Sequence, residues 1–216
     1  MNHTPFLSAM RIASKMARVA TADGATAPDA AELRPVDALD IKAKLRSDWR
    51  VTNTPQIILQ KGVSPAFTYR FALIGGTVRR LQLVTSVDGT AATSATSDVL
   101  ADGLYPQNDD LWHICVTAVT PEAKFWYSAD GVTWAQWGAT KAYTLPNPLF
   151  QSESTLGIGV SGLKAEGWHW VEIRHAIDGP LVANPRFDKQ SAGTRQFFDA
   201  QGNPWTVNGT AAIIAQ

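Results

Sequence analysis

Two tryptophans at alternate positions of one short segment are the residues best suited to bind a ligand. Residues 168–174 read WHWVEIR, and the alternation predicts a β-strand with Val171 and Ile173 facing the core. The other side of that strand then presents Trp168, Trp170, Glu172 and Arg174. Flat aromatic rings beside hydrogen-bonding charges are typical of a sugar platform or of a protein–protein contact. Trp126, with Trp134 and Trp137 from the same hairpin, is predicted to extend this surface.

The alternative for these tryptophans is structural, because such rings also cover sheet edges or pack beneath loops. Packing of that kind is the favoured interpretation for Trp134 and Trp137, with a place on the surface as the alternative. For Trp168 and Trp170 both interpretations stay open, since exposed apolar patches usually mark interfaces.

The acidic residues lack the spacing that sugar hydrolysis requires within one strand. Glycoside hydrolysis needs two carboxylates held roughly 5–10 Å apart, which alternate positions on a strand provide. Glu172 alternates instead with Trp170 and Arg174. A hydrolase is therefore the least favoured hypothesis, and it would have to combine carboxylates from separate strands.

The nucleophiles and histidines also favour structural roles. Cys115 lies in an apolar run, which predicts a buried and inert thiol because reactive thiols need an electropositive, partly exposed setting. His113, His169 and His175 all fall on predicted strands. His169 and His175 are six positions apart, about 20 Å along a strand, so they cannot ligate one metal together. We predict no catalytic residue and no enzymatic activity.

An acidic loop is the one candidate for metal binding. Asp102, Asp109 and Asp110 offer the hard oxygen ligands that calcium binds. Their spacing differs from that of an EF-hand loop, and oxygen-rich turns are common without metal. We therefore expect no cofactor, with Ca²⁺ at this loop as the alternative.

From about residue 33 onward, short alternating runs are separated by Gly, Pro, Asn and Asp, which is typical of an all-β domain. Residues 86–90 and 128–134 both read as a strand, a Ser-x-Asp-Gly turn and a second strand. We predict a two-sheet antiparallel jelly-roll sandwich over residues 36–216, with an up-and-down barrel as the alternative. Strands are predicted at 39–46, 56–61, 67–74, 77–86, 112–119, 125–128, 132–137, 155–160, 168–177 and 205–209.

The first 35 residues differ in character from the rest. Residues 4–20 predict a basic amphipathic helix, so residues 1–20 are interpreted as an anchor. The Ala/Asp/Thr/Pro-rich residues 21–35 are interpreted as a linker. A short helix cannot bury its apolar stripe alone, which favours docking on another protein or a homo-oligomer, with a trimer as one expected form. The predicted docking residues are Phe6, Leu7, Met10, Ile12, Met16 and Val19.

Composition excludes several function classes for this chain of 216 residues. Hydrophobic residues make up 45%, which excludes a disordered chain. Nineteen basic residues balance nineteen acidic ones, which argues against nucleic-acid binding. No run approaches the ~20 apolar residues of a transmembrane segment.

Several motifs in a fixed order resemble one known family. They are Asp40-Ile41 with Trp49, the two Ser-x-Asp-Gly turns with Trp112 between them, residues 177–183 (IDGPLVA) and the closing residues 198–209 (FDAQGNPWTVNG). In this order they are similar to the concanavalin A-like (laminin G-like) jelly-roll domains in minor tail and other virion surface proteins of phages that infect actinobacteria. The resemblance covers about residues 36–213.

The resemblance implies two antiparallel sheets and a place on the virion, at the tail or the capsid surface, after synthesis in the host cytoplasm. It transfers no catalytic residues, because the acidic strand of the related glucanases is missing here. The leading hypothesis is a non-enzymatic virion structural protein whose partners are copies of itself and other virion proteins. The alternative is a carbohydrate-binding module that attaches to a host-surface glycan.

Overall fold

The computed structural model describes residues 16–18, 23–35, 37–47, 49, 55–64, 66–75, 79–100, 110–160 and 167–214. Within this part of the chain, strands and turns account for nearly all regular structure, with two short 3-10 helices at Ala31–Leu33 and Phe187–Lys189. The strands are β1 (Met16–Arg18), β2 (Ala25–Ala27), β3 (Ala38–Arg46), β4 (Gln56–Val63), β5 (Ala66–Ile74), β6 (Arg80–Ser86), β7 (Ala92–Thr96), β8 (Leu111–Val119), β9 (Glu122–Ser128), β10 (Ala135–Gln136), β11 (Lys141–Ala142), β12 (Leu156–Ile158), β13 (Gly167–Arg174), β14 (Leu181–Ala183), β15 (Gln196–Phe198), β16 (Pro204–Val207) and β17 (Ala212–Ile214).

Two antiparallel sheets contain these strands. The first sheet runs β10-β9-β8-β3-β13-β1-β17, with β11 also paired to β9 and β14 to β13. The second sheet runs β15-β16-β2-β12-β4-β5-β6-β7. The prediction of an all-β protein with two antiparallel sheets is confirmed, and the arrangement is consistent with a jelly-roll sandwich.

The core lies between the sheets because alternate residues of the long strands are apolar. On β3 the residues Leu39, Ile41, Ala43 and Leu45 are all fully buried. They belong to the same hydrophobic cluster as Tyr69, Phe71 and Leu73 of β5 in the other sheet. The polar residues between them on β3 therefore lie on the outer face of the first sheet.

The segment interpreted as a linker is part of the sandwich. Ala25–Ala27 forms β2, which pairs with β16 on one side and β12 on the other, inside the second sheet. Leu33 is fully buried in the core. Composition suggested a linker because these residues are small and polar, yet paired neighbours on both sides satisfy their backbone groups without any large side chain.

The predicted N-terminal helix is corrected at its end, because Met16–Arg18 forms strand β1. Ala17 pairs with Trp168 of β13 and with Ile213 of β17, so β1 fills the gap between two strands. The edges of β13 and β17 supply hydrogen-bond partners for the backbone groups of these three residues. A short helix is only marginally stable, so pairing in the sheet is favoured over it. The other predicted docking residues, Phe6, Leu7, Met10, Ile12 and Val19, lie outside the described residues.

The two Ser-x-Asp-Gly turns have the same hydrogen bonds. Ser86 accepts a bond from the Gly89 N–H, and Asp88 accepts bonds from the next two amides at 2.8 and 3.0 Å. In the second turn Ser128 and Asp130 accept the equivalent bonds at 2.8 Å. Both glycines have φ of +79°, which an L-residue rarely adopts. The amide donors lower the pKa of Asp88 to about 2.

Candidate functional site

The outer face of the first sheet carries a grid of polar and aromatic side chains across β9, β8, β3 and β13. We call it the ladder face. The strand register aligns its three rows as Ser128–His113–Lys44–Trp170, Trp126–Cys115–Lys42–Glu172 and Lys124–Thr117–Asp40–Arg174. Cross-strand neighbours of this kind lie within side-chain contact distance of each other.

A groove of about 320 Å³ opens on the ladder face. We call it the Trp126 groove. Trp126 is half-buried, and its indole N–H lies 3.4 Å from the Thr117 hydroxyl on the adjacent strand. The hairpin that follows β9 contributes Trp134, and the loop after β13 contributes the exposed Ile177. The full lining is Lys42, Cys115, Thr117, Lys124, Trp126, Trp134, Ile177 and Asp178.

A charged cluster fixes one wall of the groove. Lys42 Nζ lies 3.1 Å from Asp178 Oδ1 and 3.5 Å from Asp40 Oδ2. Burial by itself would lower the pKa of Lys42, but the bond to Asp178 and the charge of Asp40 outweigh it and raise that pKa. The ammonium therefore stays protonated, with Asp178 beside it as an exposed acceptor.

Asp40 holds the loop that closes this wall. Its carboxylate is fully buried and accepts a hydrogen bond from the Asp178 N–H at 3.1 Å. Asp178 has φ of +54°, so the chain turns through the left-handed region at this point. The buried carboxylate thereby fixes the loop over β3 and sets the position of the Asp178 side chain at the groove.

Cys115 and His113 form the buried base of the ladder face. The prediction that Cys115 is buried is confirmed, and burial together with the Asp40 charge raises the pKa of its thiol. The His113 ring packs edge-on against Trp134 at 6.3 Å and against Trp170 at 5.5 Å between centroids. Burial and the nearby Lys44 lower its pKa to about 4. His113 is therefore neutral near pH 7 and supports the indoles.

The outward placement of Trp168 is wrong, because β13 contains a β-bulge. Trp168 pairs with Leu45 and Trp170 pairs with the adjacent Lys44, so His169 is an extra residue in the ladder. Trp168 is fully buried. Its ring lies against Gly159, where an added Cβ would stand 2.6 Å from the indole. Trp168 is thus a core residue, and the extra residue reverses the alternation.

Trp170, Glu172 and Arg174 do lie together on the ladder face, but beside the groove. The Arg186 guanidinium lies 5.9 Å from the Trp170 ring centroid, and His113 contacts the same indole. Glu172 accepts a bond of 2.8 Å from Arg174. Trp170 is thus held by two residues outside the predicted cluster, whereas Glu172 and Arg174 pair with each other.

Of the remaining tryptophans, one follows the packing hypothesis and one does not. Trp137 is fully buried and packs against Tyr127 at 5.8 Å between centroids, as expected. Trp134 is half-buried and lines the groove. For Trp134 the surface hypothesis therefore fits better than the packing hypothesis, because the 129–133 turn places its ring at the groove.

The calcium hypothesis stays a prediction. Asp102 and Asp109 lie outside the described residues, and Asp110 is exposed with its backbone carbonyl accepting a bond from the Trp49 indole at 2.9 Å. Among the described residues no group of three metal-ligating side chains comes together. In the same part of the chain no helix is long and apolar enough to span a membrane.

Mild acid is expected to destabilise the fold through two buried histidines. Burial lowers the pKa of both His113 and His169 to about 4, whereas an unfolded histidine titrates near 6.5. Between these pKa values the unfolded chain binds protons at histidines that stay neutral in the folded chain. The free energy of unfolding therefore falls as the pH drops from about 6.5 to 4. Melting temperature measured against pH should show this slope, and the double variant His113→Gln, His169→Gln should reduce it, with His175, whose pKa burial also lowers, keeping part of it. An unchanged slope would contradict the assignment.

Comparison with known proteins gives only distant likenesses. No protein-family model and no curated protein matches the sequence. Among solved structures, a heptameric SAP-like pentraxin from Limulus polyphemus aligns at 12% identity and a TM-score of 0.48, covering 77% of this chain and 78% of the pentraxin. The enzymatically active domain of tailspike protein 2 from bacteriophage CBA120 aligns at 12% identity and 0.47, covering 87% of this chain but 35% of the tailspike. Sheep galectin-11 aligns at 11% identity and 0.39, covering 72% of this chain and all of the galectin. These likenesses identify no family for this chain.

Proposed function

We propose that this protein is a non-enzymatic carbohydrate-binding jelly roll that takes a saccharide in the Trp126 groove. The observation that carries the proposal is the pairing of two half-buried indoles, Trp126 and Trp134, with the fixed Lys42–Asp178 pair in one groove. Indole faces stack on the C–H faces of sugar rings, and convergent charged groups hydrogen-bond to hydroxyls.

The size and chemistry of the groove fit this ligand class. A volume of about 320 Å³ lies at the small end of the range for ligand sites. Lys42 offers N–H donors, Asp178 offers acceptor oxygens, and Thr117 offers a hydroxyl. A neutral sugar ring with adjacent hydroxyls uses all three.

The absence of catalysis remains part of the proposal. Two carboxylates from separate segments, Asp40 and Asp178, do approach the same lysine. Asp40 is fully buried beneath the Asp178 loop, so a saccharide in the groove cannot contact its oxygens. A general acid or nucleophile must touch the reacting atoms, which leaves only one reachable carboxylate in this cluster.

The virion setting is the further part of the proposal, and it rests on the resemblance of the sequence motifs. We propose that the protein stands on the surface of a phage tail or capsid, together with copies of itself and other virion proteins, and attaches to a host-surface glycan. Residues 1–15 then supply the docking segment, while Met16–Arg18 belongs to the jelly roll itself.

The proposal is tested by screening the full chain against an array of immobilised bacterial glycans. We expect retention of at least one glycan, and no reducing ends after prolonged incubation with the same glycan in solution. Retention by no glycan would refute the binding function, and release of reducing ends would refute its non-enzymatic character. The two readouts are independent, so each part of the proposal can fail alone.

A further inference from the structure

Four neighbouring strands of the second sheet, β4 to β7, contain no aspartate or glutamate. Their cationic residues are Lys61, Arg70 and Arg80. Lys61 is fully buried and bonds to the Asp29 carboxylate and the Ser154 carbonyl. This cation is therefore paired inside the sandwich, which leaves the two arginines.

Arg70 is a half-buried cation with no acidic partner among the described residues. Its neighbours in sequence, Tyr69 and Phe71, face the core, so Arg70 lies on the outer face of the second sheet. Its guanidinium carbon is 4.8 Å from the Phe67 ring centroid, and its Nη2 donates one long bond of 3.4 Å to Gln82. Its Nε is buried and has no partner in the described structure. Burial lowers the pKa of Arg70, with no carboxylate to offset it.

An arginine in such a setting normally has an anion beside it, because an unpaired cation that loses water raises the free energy of the fold. Polar groups accompany the cation along its cross-strand row, one of them adjacent and one beyond the apolar Val84. Gln60 pairs directly with Arg70, and Ser94 lies further along the same cross-strand row. Gln82 in turn lies 3.4 Å from the Thr96 hydroxyl.

We propose that Arg70 forms a second ligand site, which takes the carboxylate of an acidic sugar such as a uronate. The guanidinium fork matches a planar carboxylate, while Gln60 and Ser94 offer hydrogen bonds to sugar hydroxyls. A single arginine suits a monoanion better than a phosphate dianion. The inference rests on the proposed function only in taking the ligand to be a saccharide. The site lies on the opposite face of the sandwich from the Trp126 groove.

The experiment titrates the full chain with an oligogalacturonate and, in parallel, with a neutral oligogalactoside by calorimetry at low ionic strength. We expect binding of the acidic oligomer that weakens with added salt. Arg70→Gln is expected to reduce the affinity roughly tenfold or more. Arg70→Lys keeps the charge without the fork and should give an intermediate affinity. The matched control is Arg80→Gln, an exposed arginine on β6, which should leave the affinity unchanged.

Several outcomes would overturn the site. These are equal losses in Arg70→Gln and Arg80→Gln, equal binding of acidic and neutral oligomers, or tighter binding of inorganic phosphate than of the oligogalacturonate. Circular dichroism melting of each variant separates lost binding from lost folding. Trp126→Ala should leave oligogalacturonate binding intact, so failure of the groove proposal and failure of the Arg70 site give different results.

Discussion

Replacing Asp199 with alanine is expected to lower the free energy of unfolding by about 3–5 kcal/mol, the largest stability effect that we predict. The nearly buried carboxylate accepts bonds from five donors: the backbone N–H groups of Asn184, Gln201 and Asn203, the Asn203 side-chain amide and the Trp205 indole. Alanine would leave most of these donors without an acceptor at a nearly buried site, although the Asn203 side-chain amide keeps its bond to the Val182 carbonyl. Urea unfolding followed by tryptophan fluorescence measures the change.

The matched control is Asp37→Ala. Asp37 is exposed and accepts one bond, from Asn147 at 2.8 Å, so its loss should change stability by about 0.5 kcal/mol or less. Asp199→Asn should fall between the two, because one oxygen remains an acceptor while the new amide opposes other donors. If the losses of unfolding free energy in Asp199→Ala and Asp37→Ala differed by less than about 1 kcal/mol, the hydrogen bonds to Asp199 would not stabilise the β15–β16 hairpin.

The largest effect on binding is expected from Trp126→Ala. Removal of the indole should weaken binding of a glycan retained on the array roughly thirtyfold, as for other central aromatic anchors. The same change should lower stability by only about 1 kcal/mol, because Trp126 is half-buried and its one hydrogen bond is long. Isothermal titration calorimetry of the wild type and the variant checks the prediction.

Two controls make the binding result specific. Phe198→Ala removes an aromatic ring that is 71% exposed on edge strand β15 of the other sheet, and it should leave the affinity unchanged. Trp170→Ala removes an indole beside the groove that already contacts Arg186 and His113, and a small loss is expected. A large loss in Trp170→Ala with none in Trp126→Ala would move the site to the predicted β13 cluster.

Strand β3 was predictable because its apolar and polar residues alternate with a strict period of two. On β3, Leu39 to Leu45 alternate with Asp40 to Arg46, and every apolar member is buried. The turns at Asp88 and Asp130 were also predictable, since their side chains bond to backbone groups within the same few residues. Both features depend only on residues that are close together in the sequence, so they can be recognised from it.

Features that depend on distant contacts were not predictable. The bulge at His169 adds one residue without any Gly or Pro to mark it, and it moves Trp168 from the surface to the core. β2 consists of small residues whose pairing with β12 and β16 is long-range. The candidate site also depends on a distant contact. Asp178 and Lys42 are 136 positions apart in the sequence, so no motif of short spacing could have predicted their pairing.

The measurement that tests the central claim most directly is an NMR titration of the indole N–H signals with a glycan retained on the array. Trp126 and Trp134 line the groove, whereas Trp49, Trp137, Trp168 and Trp205 are buried in the core. We expect the signals of Trp126 and Trp134 to shift in a saturable way while the four core signals stay in place. Saturable binding that leaves Trp126 and Trp134 unshifted would contradict a carbohydrate site in the Trp126 groove.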